Sequence, residues 1–103
     1  MWRGVIGKVL AIPRPDDYKW AHQRIKKLWN DGFVEIGIHA QSRMRQREIQ
    51  MTDIANVIRY GQIIEHSKPG TLWRYTILGK AVDGDRMKCV CEINGTLVIV
   101  TVI

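Results

Sequence analysis

The last eighteen residues, RMKCVCEINGTLVIVTVI (86–103), leave the chain little freedom. Two runs rich in β-branched and apolar residues are broken once, by Asn94-Gly95. Such a pair between two strand-like runs is the strongest short-range signal for a β-hairpin. With Asn94-Gly95 as a two-residue turn, Lys88 faces Thr101, Cys89 faces Val100, Val90 faces Ile99 and Cys91 faces Val98. One face is then Met87, Cys89, Cys91, Ile93, Val98, Val100 and Val102, all apolar. The other is Lys88, Val90, Glu92, Leu97, Ile99, Thr101 and Ile103, which is mixed. A sheet with one apolar face has to be covered on that side. The mixed face is where exposed chemistry can sit. Cys89 and Cys91 point the same way on one strand, too tightly linked for an ordinary disulfide. They are expected to be reduced and buried. A zinc half-site would need more ligands, and only His66 lies nearby in sequence.

The rest of the chain supplies the partners for that hairpin. QIIEH (62–66) and LWRYTIL (72–78) are strand-like, with turns at SKPG (67–70) and VDGD (82–85). If Asp83-Gly84 is also a tight turn, Tyr75 falls on the mixed face opposite Glu92. Helical spacing of Tyr18, Ala21, Ile25, Leu28 and Trp29 predicts a helix over 17–30, capped by Asp16 and stopped at NDG (30–32), where Gly32 can take positive φ. FVEIGI (33–38) predicts a short strand. Helices follow over His39–Glu48 and Thr52–Tyr60, the second capped by Thr52, ended by Gly61 and buried through Ile54, Val57 and Ile58. Residues 2–12 predict a short extended segment before the PRPDD break (13–17). The expected fold class is α+β. Two short helices cover one face of an antiparallel β-meander, preceded by a strand-helix extension (1–32). The core spans 33–103 and the whole of 1–103 forms one domain.

Charge narrows the partners. Lys and Arg number 16 against 10 Asp and Glu, a net +6 that favours polyanions such as RNA, DNA or an acidic protein. No run of the sequence has the length of a membrane span, and the start lacks the apolar segment of a signal peptide, so a cytoplasmic protein is expected.

The basic residues concentrate in IHAQSRMRQR (38–47). At about 100° per residue, positions four apart drift by only about 40°, so His39, Arg43 and Arg47 share one side of a helix. Ala40 and Met44 form the neighbouring packing strip. Arginine offers a planar fork of donors for phosphate oxygens, and histidine can give or take a proton near neutral pH. RNA cleavage by 2′-OH attack needs both. A solvated basic face, paired with Glu48 or Asp53, is the plain structural alternative. Arg74 and Tyr75 can hold phosphate or stack a base, and Lys88 can add a cation. The alternative for these is a sheet-filling tyrosine, a snorkelling arginine and a solvated lysine. Among the tryptophans, Trp29 is expected in the core, and Trp20, off the helical stripe, as a partner contact. His22 and His66 form no constellation.

The motif HAQSRMRQREI (39–49), then DIANVIRYG (53–61), RYTILG (74–79) and VIVTVI (98–103), resembles a family of domains of unknown function, number 4258. The resemblance covers Phe33 to Ile103. Gly37 stands where the family often has Ser, Glu48 where it often has Gly, and Gln50 where it often has Ser or Thr. These departures imply a different turn between the two helices. Such domains look like relatives of the RelE, barnase and colicin-type ribonuclease fold. The resemblance implies a toxin-like endoribonuclease. Carried over by position, its motif residues are His39, Arg43 and Arg47, with Arg74 and Thr101 as weaker matches.

The expectation is therefore a small, metal-independent ribonuclease of a toxin–antitoxin or toxin–immunity system, using no cofactor. His39, Arg43 and Arg47 form its catalytic set; Arg74, Tyr75, Lys88 and Thr101 bind substrate. Expected partners are the RNA phosphate backbone and an acidic antitoxin or immunity protein, with a homodimer left open and no membrane. The competing expectation is a non-catalytic module binding nucleic acid or an acidic protein through the same helix face. A third is a protein-interaction domain whose residues 1–32 reach out to a partner.

Overall fold

A computed structural model describes residues 16–103 of the chain. The extended segment expected over 2–12 lies outside the described residues. The elements run α1 (Tyr18–Asn30), β1 (Val34–Ile36), α2 (Ile38–Arg47), α3 (Met51–Tyr60), β2 (Gln62–Ser67), β3 (Arg74–Lys80), β4 (Arg86–Asn94) and β5 (Thr96–Val102). The five strands form one sheet in the order β1-β5-β4-β3-β2. Four strands make the expected antiparallel meander. The sheet as a whole is mixed, because β1 pairs with β5 in parallel, Val34 opposite Leu97 and Ile36 opposite Ile99. A parallel pair needs a long crossover. Here everything between β1 and β5 serves as that crossover, which the short FVEIGI run does not reveal.

The hairpin register differs from a two-residue turn by one position. Asn94 stands opposite Thr96 and Ile93 opposite Leu97, leaving Gly95 at the tip with φ 69°. A slip of one residue exchanges the faces of a strand. Leu97 and Ile99 therefore enter the core, in place of the expected Val98 and Val100. The β3–β4 connection shows the same effect. Lys80 stands opposite Arg86, and the loop between them closes through Ala81 N–H to Asp85 O at 2.8 Å. This wider loop puts Tyr75 opposite Cys91 on the helix-covered face, where it is buried; Arg74, not Tyr75, stands opposite Glu92.

Capping explains the helix boundaries. Asp17, not Asp16, caps α1, its Oδ1 accepting from Trp20 N–H at 3.1 Å. Thr52 does not cap α3. Asp53 reaches back instead, Oδ2 accepting from Gln50 N–H at 2.8 Å and Oδ1 from Val82 N–H at 2.9 Å. One carboxylate thus starts a helix and clamps the β3–β4 loop. Asn56 Nδ2 adds a second tie to Lys80 O at 2.9 Å.

Helix α1 buries Ala21, Ile25 and Leu28 against this chain's own core. His22 Nε2–H donates to Ile58 O at 2.6 Å, and the Tyr18 hydroxyl shares a 2.8 Å hydrogen bond with His66 Nδ1. This part of the N-terminal extension packs inward rather than reaching out to a partner. Trp29 packs against the core as expected, and Trp20 is exposed.

Cys89 and Cys91 are free and fully buried. Burial pushes the Cys89 thiol up to about 12 and raises the Cys91 thiol and the Tyr75 phenol as well. The folded state thus holds these protons to higher pH than the unfolded chain does. The resulting stability is whole below the ordinary thiol value of 9.0 and is lost as pH rises towards about 12. Thermal melting points should stay level up to about pH 9 and fall steeply above it. A melting point unchanged from pH 8 to 11 would contradict this.

Candidate functional site

Helix α2 starts directly after β1, and its first turn is held against β5. Gly37 N–H donates to Ile99 O at 2.8 Å, and a Cβ at Gly37 would lie 2.9 Å from that same oxygen. The close approach leaves little room for any side chain at this position. No side chain caps this helix start, so its first N–H groups remain available to an anion. Ala40 is fully buried and sets the rotation of the helix.

That rotation turns His39, Ser42, Arg43 and Gln46 into an open hollow of about 530 Å³, completed by Val100 and Thr101 of β5. Thr101 gets there because of a β-bulge. The register of β5 against β4 shifts between Val90 and Cys91, so Val100 has no partner and Thr101 stands opposite Val90. Alternation without the bulge would put Thr101 on the core face, below Ile99. The extra residue carries Thr101 to the open side and returns Val102 to the core. Re-aiming a side chain in this way is a common use of bulges beside functional sites.

The seven residues picked out from sequence do not all meet. His39, Arg43 and Thr101 share the hollow. Arg47, about 80° around the helix from His39, lines a separate concavity of about 190 Å³ beside Glu48, Asp53, Asp83, Asp85 and Arg86. Tyr75 lies in the core. Arg74 is on the open face, but its Nε and Nη2 each bind Glu92 Oε2 at 2.9 Å. Lys88 is exposed and pairs with Ile103 through two backbone hydrogen bonds, rather than with Thr101. Ser42, Gln46 and Val100 were missed. The i, i+3, i+4, i+7 spacing from His39 could have found Ser42 and Gln46; the bulge that brings in Val100 leaves no mark in the sequence.

Among the described residues, Arg43 makes no ion pair and the His39 side chain no hydrogen bond. The hollow therefore offers an uncompensated guanidinium, an imidazole, two hydroxyls and an amide. No group of three metal-binding side chains occurs among the described residues, and the two cysteines face the core.

The turn after α2 accounts for one family position. Glu48 adopts φ 57°, ψ 40°, the left-handed conformation, and its N–H closes on Met44 O. The turn is thus the one a glycine would favour, not the different turn that Glu48 implied. A left-handed non-glycine residue costs about 1–2 kcal/mol. Glu48→Gly should therefore stabilise the fold by about 1 kcal/mol after its extra chain entropy is counted, read as a raised urea midpoint with unchanged slope. A lowered midpoint would refute this account of the turn.

A family model described as a domain of unknown function (DUF4258) matches residues 37–103. No curated protein and no solved structure matches the chain.

Proposed function

The chain belongs to the DUF4258 family, and from that premise we propose that it is a small, metal-independent endoribonuclease of the RelE and barnase kind. The reading is carried by the meeting of His39, Arg43 and the bulge-aimed Thr101 in one hollow. His39 takes the proton of a ribose 2′-OH as that oxygen attacks the adjacent phosphorus. The O2′–P bond forms, the P–O5′ bond breaks, and the departing 5′ oxygen takes up a proton from water, giving a 2′,3′-cyclic phosphate. Arg43 neutralises the non-bridging oxygens, which carry the developing charge, and the Thr101 hydroxyl and the open start of α2 donate to them. Arg47 lies off this centre, beside four carboxylates, and takes no part in the reaction. A cytoplasmic setting with an acidic antitoxin or immunity protein as partner fits such an activity, because a free ribonuclease harms its host.

One observation favours a second reading. Among the side chains lining the hollow, His39 is the only imidazole and there is no carboxylate, and a phosphate clamp without turnover needs no more. Incubating the purified chain with RNA, with and without a divalent-ion chelator, separates the two. Fragments ending in cyclic phosphate are expected. Intact RNA that is nevertheless bound, with affinity falling steeply as salt rises, would replace the nuclease by the binding module.

A further inference from the structure

We infer that Gln46 is a base-reading residue of this same hollow and that the site favours adenine in single-stranded RNA. The inference rests on the phosphate-binding role proposed for His39 and Arg43. Its basis is size and placement. A hollow of about 530 Å³ is larger than a phosphate group requires, and it continues along α2 beyond Arg43 to Gln46. Gln46 lies seven residues after His39, about 20° off the same helical line and about 10 Å further along the axis. From Arg43 it is one turn on, about 4.5 Å. A nucleoside attached to a phosphate held between His39 and Arg43 thus comes within reach of Gln46.

The lining changes character over that distance. At the His39 end it presents an imidazole and the Arg43 guanidinium. At the other end the polar group is a neutral carboxamide. A carboxamide adds nothing to phosphate neutralisation, but it pairs one donor with one acceptor in a plane. That pattern complements the N6 donor and N7 acceptor of adenine, the pairing glutamine makes most readily with a base edge. The Gln46 side chain makes no hydrogen bond among the described residues, so it can engage a ligand without breaking one.

Binding, rather than cleavage, tests this independently of turnover. The probes are fluorescently labelled ten-nucleotide oligomers of 2′-O-methyl-adenosine, -cytidine and -uridine, which cannot be cut by 2′-oxygen attack. Anisotropy titrations at fixed low salt compare the native chain with Gln46→Ala and Arg43→Ala, each checked for native melting. The native chain should bind the adenosine oligomer about fivefold or more tightly than the other two. Gln46→Ala should reduce that gap to under about twofold while leaving cytidine binding in place. Arg43→Ala should weaken all three alike and keep the gap. Equal binding of the three by the native chain, or a gap that survives Gln46→Ala, overturns the role of Gln46 while the phosphate site stands. An Arg43→Ala chain that binds all three as the native one does overturns the site reading, and the inference with it.

Discussion

Gly61→Ala should cost the fold about 3 kcal/mol, the upper end of what forced overpacking usually costs. The cause is space, not backbone freedom: Gly61 has φ −78°, which any residue adopts. A Cβ there would lie 2.5 Å from Val57 O, 2.6 Å from Leu78 O and 3.0 Å from Ile77 Cγ2. Two of those atoms are backbone, so nothing flexible can move aside. Gly79 completes the arrangement from the sheet side, since its own Cβ would come within 3.1 Å of Val57 Cα and 3.2 Å of Gly61 Cα. The two glycines let the end of α3 lie directly on β3. For a chain of this size, about 3 kcal/mol lowers the melting point by roughly 12–24 °C. Gly70→Ala is the control, because a Cβ at Gly70 meets nothing within 4 Å. It should stay within about 0.5 kcal/mol of the native chain. A Gly61→Ala protein that melts with the control would show that α3 does not rest this closely on β3.

That glycine pair marks how far the sequence could be followed. DIANVIRYG and RYTILG each end in glycine, and both glycines stood out as motif positions. Their mutual contact, however, joins elements that sequence alone does not dock. The same boundary runs through the rest of the fold. Strand identity follows from β-branched content, and the order of strands and helices over 33–103 was legible. Register was not, because it depends on loop geometry: Gly95 at φ 69° and the wide 81–85 loop each shift a strand by one residue. For β5 the displacement was masked in part. The hairpin slip moved Leu97 and Ile99 inward, and the Val100 bulge then put Thr101 back on the open side where the simple alternation had it. The helix periodicity placed His39 and Arg43 together correctly and overextended to Arg47, since two steps of drift carry a side chain into the next groove. Tyr75 lies in the core because a single-residue register difference exchanges the exposed and buried members of adjacent pairs, whereas Arg74 is on the open face and pairs with Glu92.

His39→Ala should lower RNA cleavage about 10²- to 10⁴-fold, the usual contribution of a positioned proton-transfer group, and leave the unfolding free energy unchanged within about 0.5 kcal/mol. Neutrality of stability follows from its surroundings: His39 is exposed and its side chain makes no hydrogen bond among the described residues. The other two histidines give the opposite pattern. His22 donates to Ile58 O at 2.6 Å and His66 is bonded to the Tyr18 hydroxyl at 2.8 Å, so each ties α1 to the remainder of the fold. His22→Ala should lose about 1–3 kcal/mol of stability by leaving a carbonyl unpaired, yet cleave RNA at the native rate per folded molecule. Arg43→Ala should cost about 10²- to 10³-fold, as loss of a group stabilising transition-state charge does. Because both side chains act on one transition state, the double variant should fall well short of the product of the single losses. Binding provides the internal check. His39→Ala should still hold uncleavable RNA nearly as the native chain does, whereas Arg43→Ala should bind more weakly and with a shallower salt dependence. Cleavage that persists at the native rate in a folded His39→Ala chain would remove this histidine from the chemistry and leave the hollow as a phosphate clamp alone.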